Sequence, residues 1–217
     1  NLSENRNELL NGATMKYVNL ILAVTALGVS TITAANTGTI TINGKIFNET
    51  CILSGGSGSN ATGTKNVTVT LDTISSSSFT STVRLAGKKN FDLNLTKTDG
   101  TTACYTTSGL GASLAPVVTL STTSTAAYQS NGIDLNNQAL TASTSNPVYV
   151  QILARTGSSD VTGAVVNYSN TATQAKATYD STANKFYYAA QYSAGTGAII
   201  PEAQNVNAVV TYTITYP

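Results

Sequence analysis

The sequence predicts an all-β domain, and three observations carry the prediction. Thr, Ser, Ala, Asn and Gly dominate the chain, a mixture in which Thr and Val favour strands while Gly, Asn and Ser punctuate turns. Apolar residues alternate with polar ones over short runs, the period of a strand with one buried face. No long stretch keeps a helical period with charged flanks. The 217 residues suit one such domain behind a targeting segment, with a core large enough to fold without metals.

The targeting segment comes first. Residues 15–35 read MKYVNLILAVTALGVSTITAA. Met15 and Lys16 form a short charged start, residues 17–32 are mostly apolar, and Thr33, Ala34 and Ala35 offer small residues for cleavage. That is secretory signal logic. As a membrane span the apolar run falls short of the roughly 20 residues required, and Asn19 and several Thr interrupt it. Residues 1–14 precede the methionine and read as upstream sequence without functional weight. Cleavage after Ala35 removes Glu4, Arg6, Glu8 and Lys16, which cancel, so the mature charge stays at +1. Export makes a disulfide the natural state of the two cysteines, Cys51 and Cys104, with a pair of free thiols as the alternative.

Seven strand-like segments follow between turn-rich stretches. KIFNETCIL precedes the Gly/Ser-rich turn at 54–64, and NVTVTLDTI follows it with Val67, Val69 and Leu71 alternating. NFDLNLTKT alternates Phe91, Leu93 and Leu95. PVVTLST starts at Pro116, and PVYVQILART puts Val148, Val150 and Ile152 on one face. KFYYAAQYSA is aromatic, and NAVVTYTITYP closes the sequence. Seven such segments argue for an immunoglobulin-like sandwich or barrel. No period of 20–50 residues indicates a repeat array.

The two ends of this series raise a question of pairing. Residues 37–47, TGTITINGKIF, place Ile40, Ile42, Gly44 and Ile46 on one face and Thr39, Thr41, Asn43 and Lys45 on the other. The last segment alternates Val210, Tyr212, Ile214 and Tyr216. A long apolar edge strand is an aggregation hazard that proteins cover. One economical solution joins the two ends between molecules by strand addition, a head-to-tail contact that grows into an open fibre when it does not close. In the alternative, 37–47 is the first strand of a self-complete domain, or Asn43-Gly44 turns a hairpin that sets Ile40 against Ile46.

In these features the chain resembles the subunits of chaperone–usher, type 1-like pili. TITINGKIFNETC resembles their N-terminal extension and first cysteine. Cys104 follows the second major strand, VYVQILARTG resembles the mid-chain strand and turn, and TYTITYP ends with a penultimate tyrosine in an alternating run. One departure is visible. Where many members carry a glycine about fourteen residues from the C-terminus, this sequence has Gln204, with Glu202 after the proline. The segment is also about two residues longer, which bears on the geometry of the last loop.

The resemblance implies an incomplete immunoglobulin-like sandwich lacking its last strand, with residues 36–47 a donor-strand extension and 48–217 the pilin domain. A periplasmic chaperone would lend the missing strand, and at an outer-membrane usher the extension of the next subunit would replace it. Gly38, Ile40, Ile42, Gly44 and Ile46 would face inward from the donor strand, with Gly44 where the acceptor leaves little room. Val210, Tyr212, Ile214 and Tyr216 would line the acceptor groove and engage the chaperone. The implied role is a non-adhesin shaft subunit of a surface pilus that polymerises with its own copies and supports attachment. Its fibre would carry a tip adhesin for a host receptor. A minor tip or adaptor subunit is the alternative, as is a glycan-binding adhesin, although adhesins of this family usually add a lectin domain and lack the donor strand.

Composition bears on the remaining function classes. Without His, the Ser-His-Asp and Cys-His schemes have no base, and oxidised cysteines supply neither thiolate nor zinc ligand. Asp72, Asp92, Asp99, Asp134, Asp160 and Asp180 are scattered, where a glycosidase needs a fixed pair, and Asp160 and Asp180 read as turn residues. GSGSNATG at 56–63 lacks the Lys and helix of a phosphate loop and reads as a flexible loop. The expectation is a non-enzyme with no metal or cofactor. A charge of +1 gives no sign of a nucleic-acid partner, and Lys88-Lys89 reads as a solvated turn. Tyr128 and the QSNGIDLNN loop are the exposed candidates for a receptor contact.

Overall fold

The computed structural model describes residues 50–104, 115–197 and 199–216. The signal segment, residues 1–14, the 36–47 extension and its residues Gly38, Ile40, Ile42, Gly44 and Ile46 lie outside them.

The described chain is built from strands. In order they are β1 (Ile52–Gly55), β2 (Ala61–Thr62), β3 (Thr68–Val69), β4 (Leu85–Thr96), β5 (Val117–Ser121) and β6 (Leu135–Asn136), then β7 (Tyr149–Arg155), β8 (Ala164–Val165), β9 (Tyr179–Asp180), β10 (Lys185–Ser193) and β11 (Thr211–Thr215). Short 3-10 turns at Ser76–Ser78 and Thr125–Ala127 complete the set. Among the described residues no helix is long and apolar enough to cross a membrane.

The main sheet runs in the order β1-β4-β10-β7-β6, with β8 added to β7 and β9 to β10. Its pairings are antiparallel, and β4 and β10 form its centre, with Phe186 opposite Leu93 and Tyr188 opposite Phe91. A register shift between Ala190 and Tyr192 bends the far end. A second sheet pairs β11 with β5, Ile214 opposite Val118 and Tyr212 opposite Leu120. The alternation seen in the sequence explains why the two sheets meet. Phe91, Leu93 and Leu95 of β4, with Phe186 and Tyr188 of β10, share one face and pack in a single core with Val118 and Leu120 of β5. Burying such side chains contributes roughly 1.5–3 kcal/mol each. Phe91 and Tyr188 stack with ring centroids 5.7 Å apart.

The opposite face of the main sheet is polar and also covered. Gln191 donates to Gln151 (3.0 Å), Gln151 donates to the buried Asp134 carboxylate (2.8 Å), and Asn131 donates to its other oxygen (2.6 Å). Each link satisfies a group whose burial alone is costly. The Arg155 guanidinium is held by the carbonyls of Ser158 and Asp160.

All seven segments expected from the sequence contain a strand, and four further short strands appear. Several local expectations are corrected. Lys88 and Lys89 are not in a turn but inside β4, where Lys88 donates to the Val161 and Thr162 carbonyls and Lys89 pairs with Asp72. The 56–63 stretch is fastened to β4. Gly56 N–H donates to the Asp92 carbonyl (3.0 Å), Asp92 N–H donates to the Ser59 hydroxyl (2.8 Å), and the Asn60 amide donates to the Asn90 carbonyl (2.8 Å). In the QSNGIDLNN loop Asp134 and Leu135 are buried, and Tyr128 is half-buried against Tyr168. Turn-forming side chains signalled a loop, but its backbone groups find partners on the sheet.

Gln204, at the position of the expected glycine, has a structural use. Its side-chain carbonyl accepts from the Asn137 amide (3.1 Å) and Ser143 N–H (3.2 Å), and its amide donates to the Asn146 carbonyl (2.9 Å). It thereby fastens the 137–146 loop to the segment leading into β11.

Candidate functional site

An apolar groove runs between two extended segments. One wall is 67–71, where Val67, Val69 and Leu71 are half-buried and Thr68 and Thr70 are exposed. The other is 206–212, where Val206, Ala208, Val210 and Tyr212 are half-buried and Asn207, Val209 and Thr211 are exposed. The inward residues of both walls pack against the core cluster but none is fully buried. The floor is formed by Phe91, Leu120, Ile152 and Tyr188 among others.

Within the groove are two adjoining cavities, of about 580 Å³ at the Cys51 end and about 520 Å³ at the Leu71 end. Val67, Val69, Phe91, Ile152 and Val210 line both. A smaller space of about 220 Å³, reaching Phe79 and Pro201, shares Val206 and Tyr192 with the second cavity. The two larger cavities have the dimensions of ligand sites, which are usually apolar.

Consecutive residues, not alternate ones, touch the Leu71-end cavity: 67–71 on one side and 206–210 on the other. Each wall therefore presents its main-chain edge as well as its apolar side chains. The outer edges are occupied. Gln138 N–H donates to the Asn207 carbonyl (2.7 Å), Asn207 N–H to the Asn137 side chain (3.0 Å), and β11 pairs with β5. On the other wall β3 pairs with β2, and Thr70 N–H donates to the Asn60 carbonyl (3.2 Å). Among the described strands none pairs with the facing edge of β11. A sheet edge with free donors and acceptors beside an apolar trough can take an extended chain whose alternate side chains are apolar.

Charge is sparse here: Lys65 stands at one end and Glu202 at the other. The floor hydroxyl of Tyr188 is buried without a hydrogen-bond partner among the described residues, and burial pushes its ionisation well above the usual tyrosine range. Of the carboxylates considered as acids, Asp99, Asp160 and Asp180 are committed to local turns, while Asp72 pairs with Lys89, Asp92 with Lys185, and Asp134 with Gln151 and Asn131. Asp160 accepts from Gly163, Thr156 and Thr162, which hold it well below the ordinary carboxylate range, the Gly163 N–H most of all. Asp180 is lowered mainly by the Ala183 N–H, and Asp99, held by Thr102 and Thr101, falls to about 2. No group of three or more His, Cys, Asp or Glu is placed to hold a metal among the described residues.

Of the residues expected to border a groove, Val210 and Tyr212 line it. Ile214 and Tyr216 continue the same parity and are half-buried on the core beyond the cavity lining. Cys51 and Cys104 form a disulfide with Cα atoms 5.6 Å apart, and Cys51 lies at the groove end. The wall at 67–71 was not foreseen. Its alternation is plain in the sequence, but alternation says only that one face is apolar, not what that face borders.

No family model matches the chain, and no curated protein matches it. Among solved structures, the chain is similar to the P pilus rod subunit PapA with a TM-score of 0.48 and 16% identity, over 83% of this chain and 100% of that one. It is also similar to a chaperone–usher pilus studied for rod uncoiling, with a TM-score of 0.43 and 17% identity, over 84% of this chain and 97% of the other.

Proposed function

We propose that this protein is a structural subunit of a surface pilus of the chaperone–usher type, polymerising by exchange of a strand between copies. The observation that supports it is the groove: two half-buried, alternating walls with facing main-chain edges over an apolar floor. The N-terminal run 37–47 has the complementary pattern, with Ile40, Ile42 and Ile46 on one face and glycines at 38 and 44. Inserted between the walls, it would bury three isoleucines, at roughly 1.5–3 kcal/mol each as an upper figure. It would add a row of backbone hydrogen bonds at about 1 kcal/mol net apiece. A periplasmic chaperone would occupy the same groove before assembly at the usher, engaging Val210, Tyr212, Ile214 and Tyr216.

The test is electron microscopy of material sheared from expressing cells, with the fibre protein identified by mass spectrometry and its N-terminus sequenced. The expected result is fibres whose main protein starts near Asn36. Ile42→Asp should stop fibre growth while leaving the disulfide-bonded domain folded. Normal fibres from that variant would overturn the donor-strand reading.

A further inference from the structure

Tyr212 reaches across the groove. Its backbone belongs to β11, opposite Leu120. Its hydroxyl donates to the Lys65 carbonyl at 3.1 Å and accepts from Leu53 N–H at 3.4 Å. Both groups belong to the far side, and they are tied to each other, because Lys65 N–H donates to the Leu53 carbonyl at 2.9 Å. Leu53 lies in β1, whose other edge is filled by β4. On the edge away from β4, residues 63–65 run beside β1, with Ser54 bridging Thr64 and Gly55 N–H donating to the Gly63 carbonyl at 2.9 Å, and the phenol completes that edge by linking Leu53 N–H to the Lys65 carbonyl. The ring lines the cavity at the Cys51 end of the groove. It lies in the space an occupant has to fill, held there by two hydrogen bonds to the far side.

We propose that Tyr212 is a strap across the groove, which an incoming strand must displace before it seats. This rests on the strand-accepting reading of the groove. The strap protects the empty groove: while it is closed, the ring occupies space that a chance strand would need. Once the phenol swings away, Leu53 N–H can pair directly with the Lys65 carbonyl, its neighbour across that edge. The strap thus slows entry without weakening the final complex.

The experiment uses the full chain and a labelled synthetic peptide of residues 37–47, comparing wild type with Tyr212→Phe, which keeps the ring and removes only the hydroxyl. Release of two ordinary hydrogen bonds should speed peptide association about tenfold, with dissociation unchanged. Equal association rates for the two proteins would overturn the strap and leave the groove reading intact. Faster dissociation alone would also overturn it, since the bonds would then persist in the complex. Failure of wild type and variant alike to capture the peptide would overturn both readings. A second measurement needs no variant. With 13C at tyrosine Cζ, the Tyr212 signal should shift when the peptide binds, and an unmoved signal would overturn the proposal.

Discussion

Gln174 closes the backbone of Leu120 with both ends of its side-chain amide: Leu120 N–H donates to Gln174 Oε1 at 2.9 Å, and Gln174 Nε2 donates to the Leu120 carbonyl at 2.8 Å. Leu120 lies in β5, so this buried glutamine does on one edge of the two-stranded sheet what a neighbouring strand would do. The sheet formed by β5 and β11 is thus sealed on the β5 side, and its other edge faces the groove. Gln174→Ala leaves two buried main-chain groups without partners and should cost about 2–4 kcal/mol. Gln174→Glu should cost more at neutral pH, because a carboxylate oxygen then faces the Leu120 carbonyl. The defect should lessen in acid as the carboxyl regains a proton to donate. Denaturant midpoints at two pH values check both statements.

The disulfide spans a sequence separation of 53. In the chain-entropy model, closing a loop of that size is worth about 4 kcal/mol, since it restricts the unfolded chain. The double variant Cys51→Ser, Cys104→Ser should fall by that order in denaturant unfolding and show no further response to reductant. An unchanged midpoint would mean the loop is already constrained when unfolded.

Asp160 supplies the acid dependence of the 156–163 turn. Its folded pKa is depressed, chiefly by the Gly163 N–H. The stability it contributes is therefore fully present above the ordinary carboxyl pKa of about 3.9 and is lost as pH falls through the folded value. Asp99, lowered to about 2 mainly by the Thr102 hydroxyl, follows the same rule. The gap in denaturant midpoint between wild type and Asp160→Asn should be constant from pH 7 to about 5 and shrink below about 4. A gap that widens in acid would contradict this assignment.

Ala208 stands between Val206 and Val210 on the β11 side of the groove and lines the cavity of about 520 Å³. Ala208→Leu fills part of that space. The domain should fold with an unchanged or slightly raised Tm, because apolar volume enters an unfilled apolar site. Capture of the 37–47 peptide should drop at least about tenfold, read by fluorescence anisotropy. Undiminished capture would place the strand elsewhere.

The sequence made the strand inventory readable because most segments repeat with a period of two, and the period depends only on one face being buried. Phe91, Leu93 and Leu95 show this, as do Val148 and Val150. The β10 segment, buried on both faces, shows as an aromatic run instead. Loops were read less well. Lys88 and Lys89 looked like a solvated pair, yet they lie inside β4, with Lys89 opposite Ala190 of the neighbouring β10 and Lys88 at the register shift beside it. In the same way, the Gly/Ser stretch at 56–63 is held by hydrogen bonds to β4, across about thirty residues of sequence.

Local side-chain order thus carried the class of fold, the alternating faces of its strands and the alternation of apolar residues in the 37–47 run. The sequence also offered the two cysteines as partners. Only the tertiary structure decided that Val67, Val69 and Leu71 stand across from Val206, Ala208 and Val210. Only there does Gln174 seal one sheet edge while Tyr212 bridges the opposite gap. Which edges find partners depends on contacts between segments more than fifty residues apart, and no local pattern carries that information.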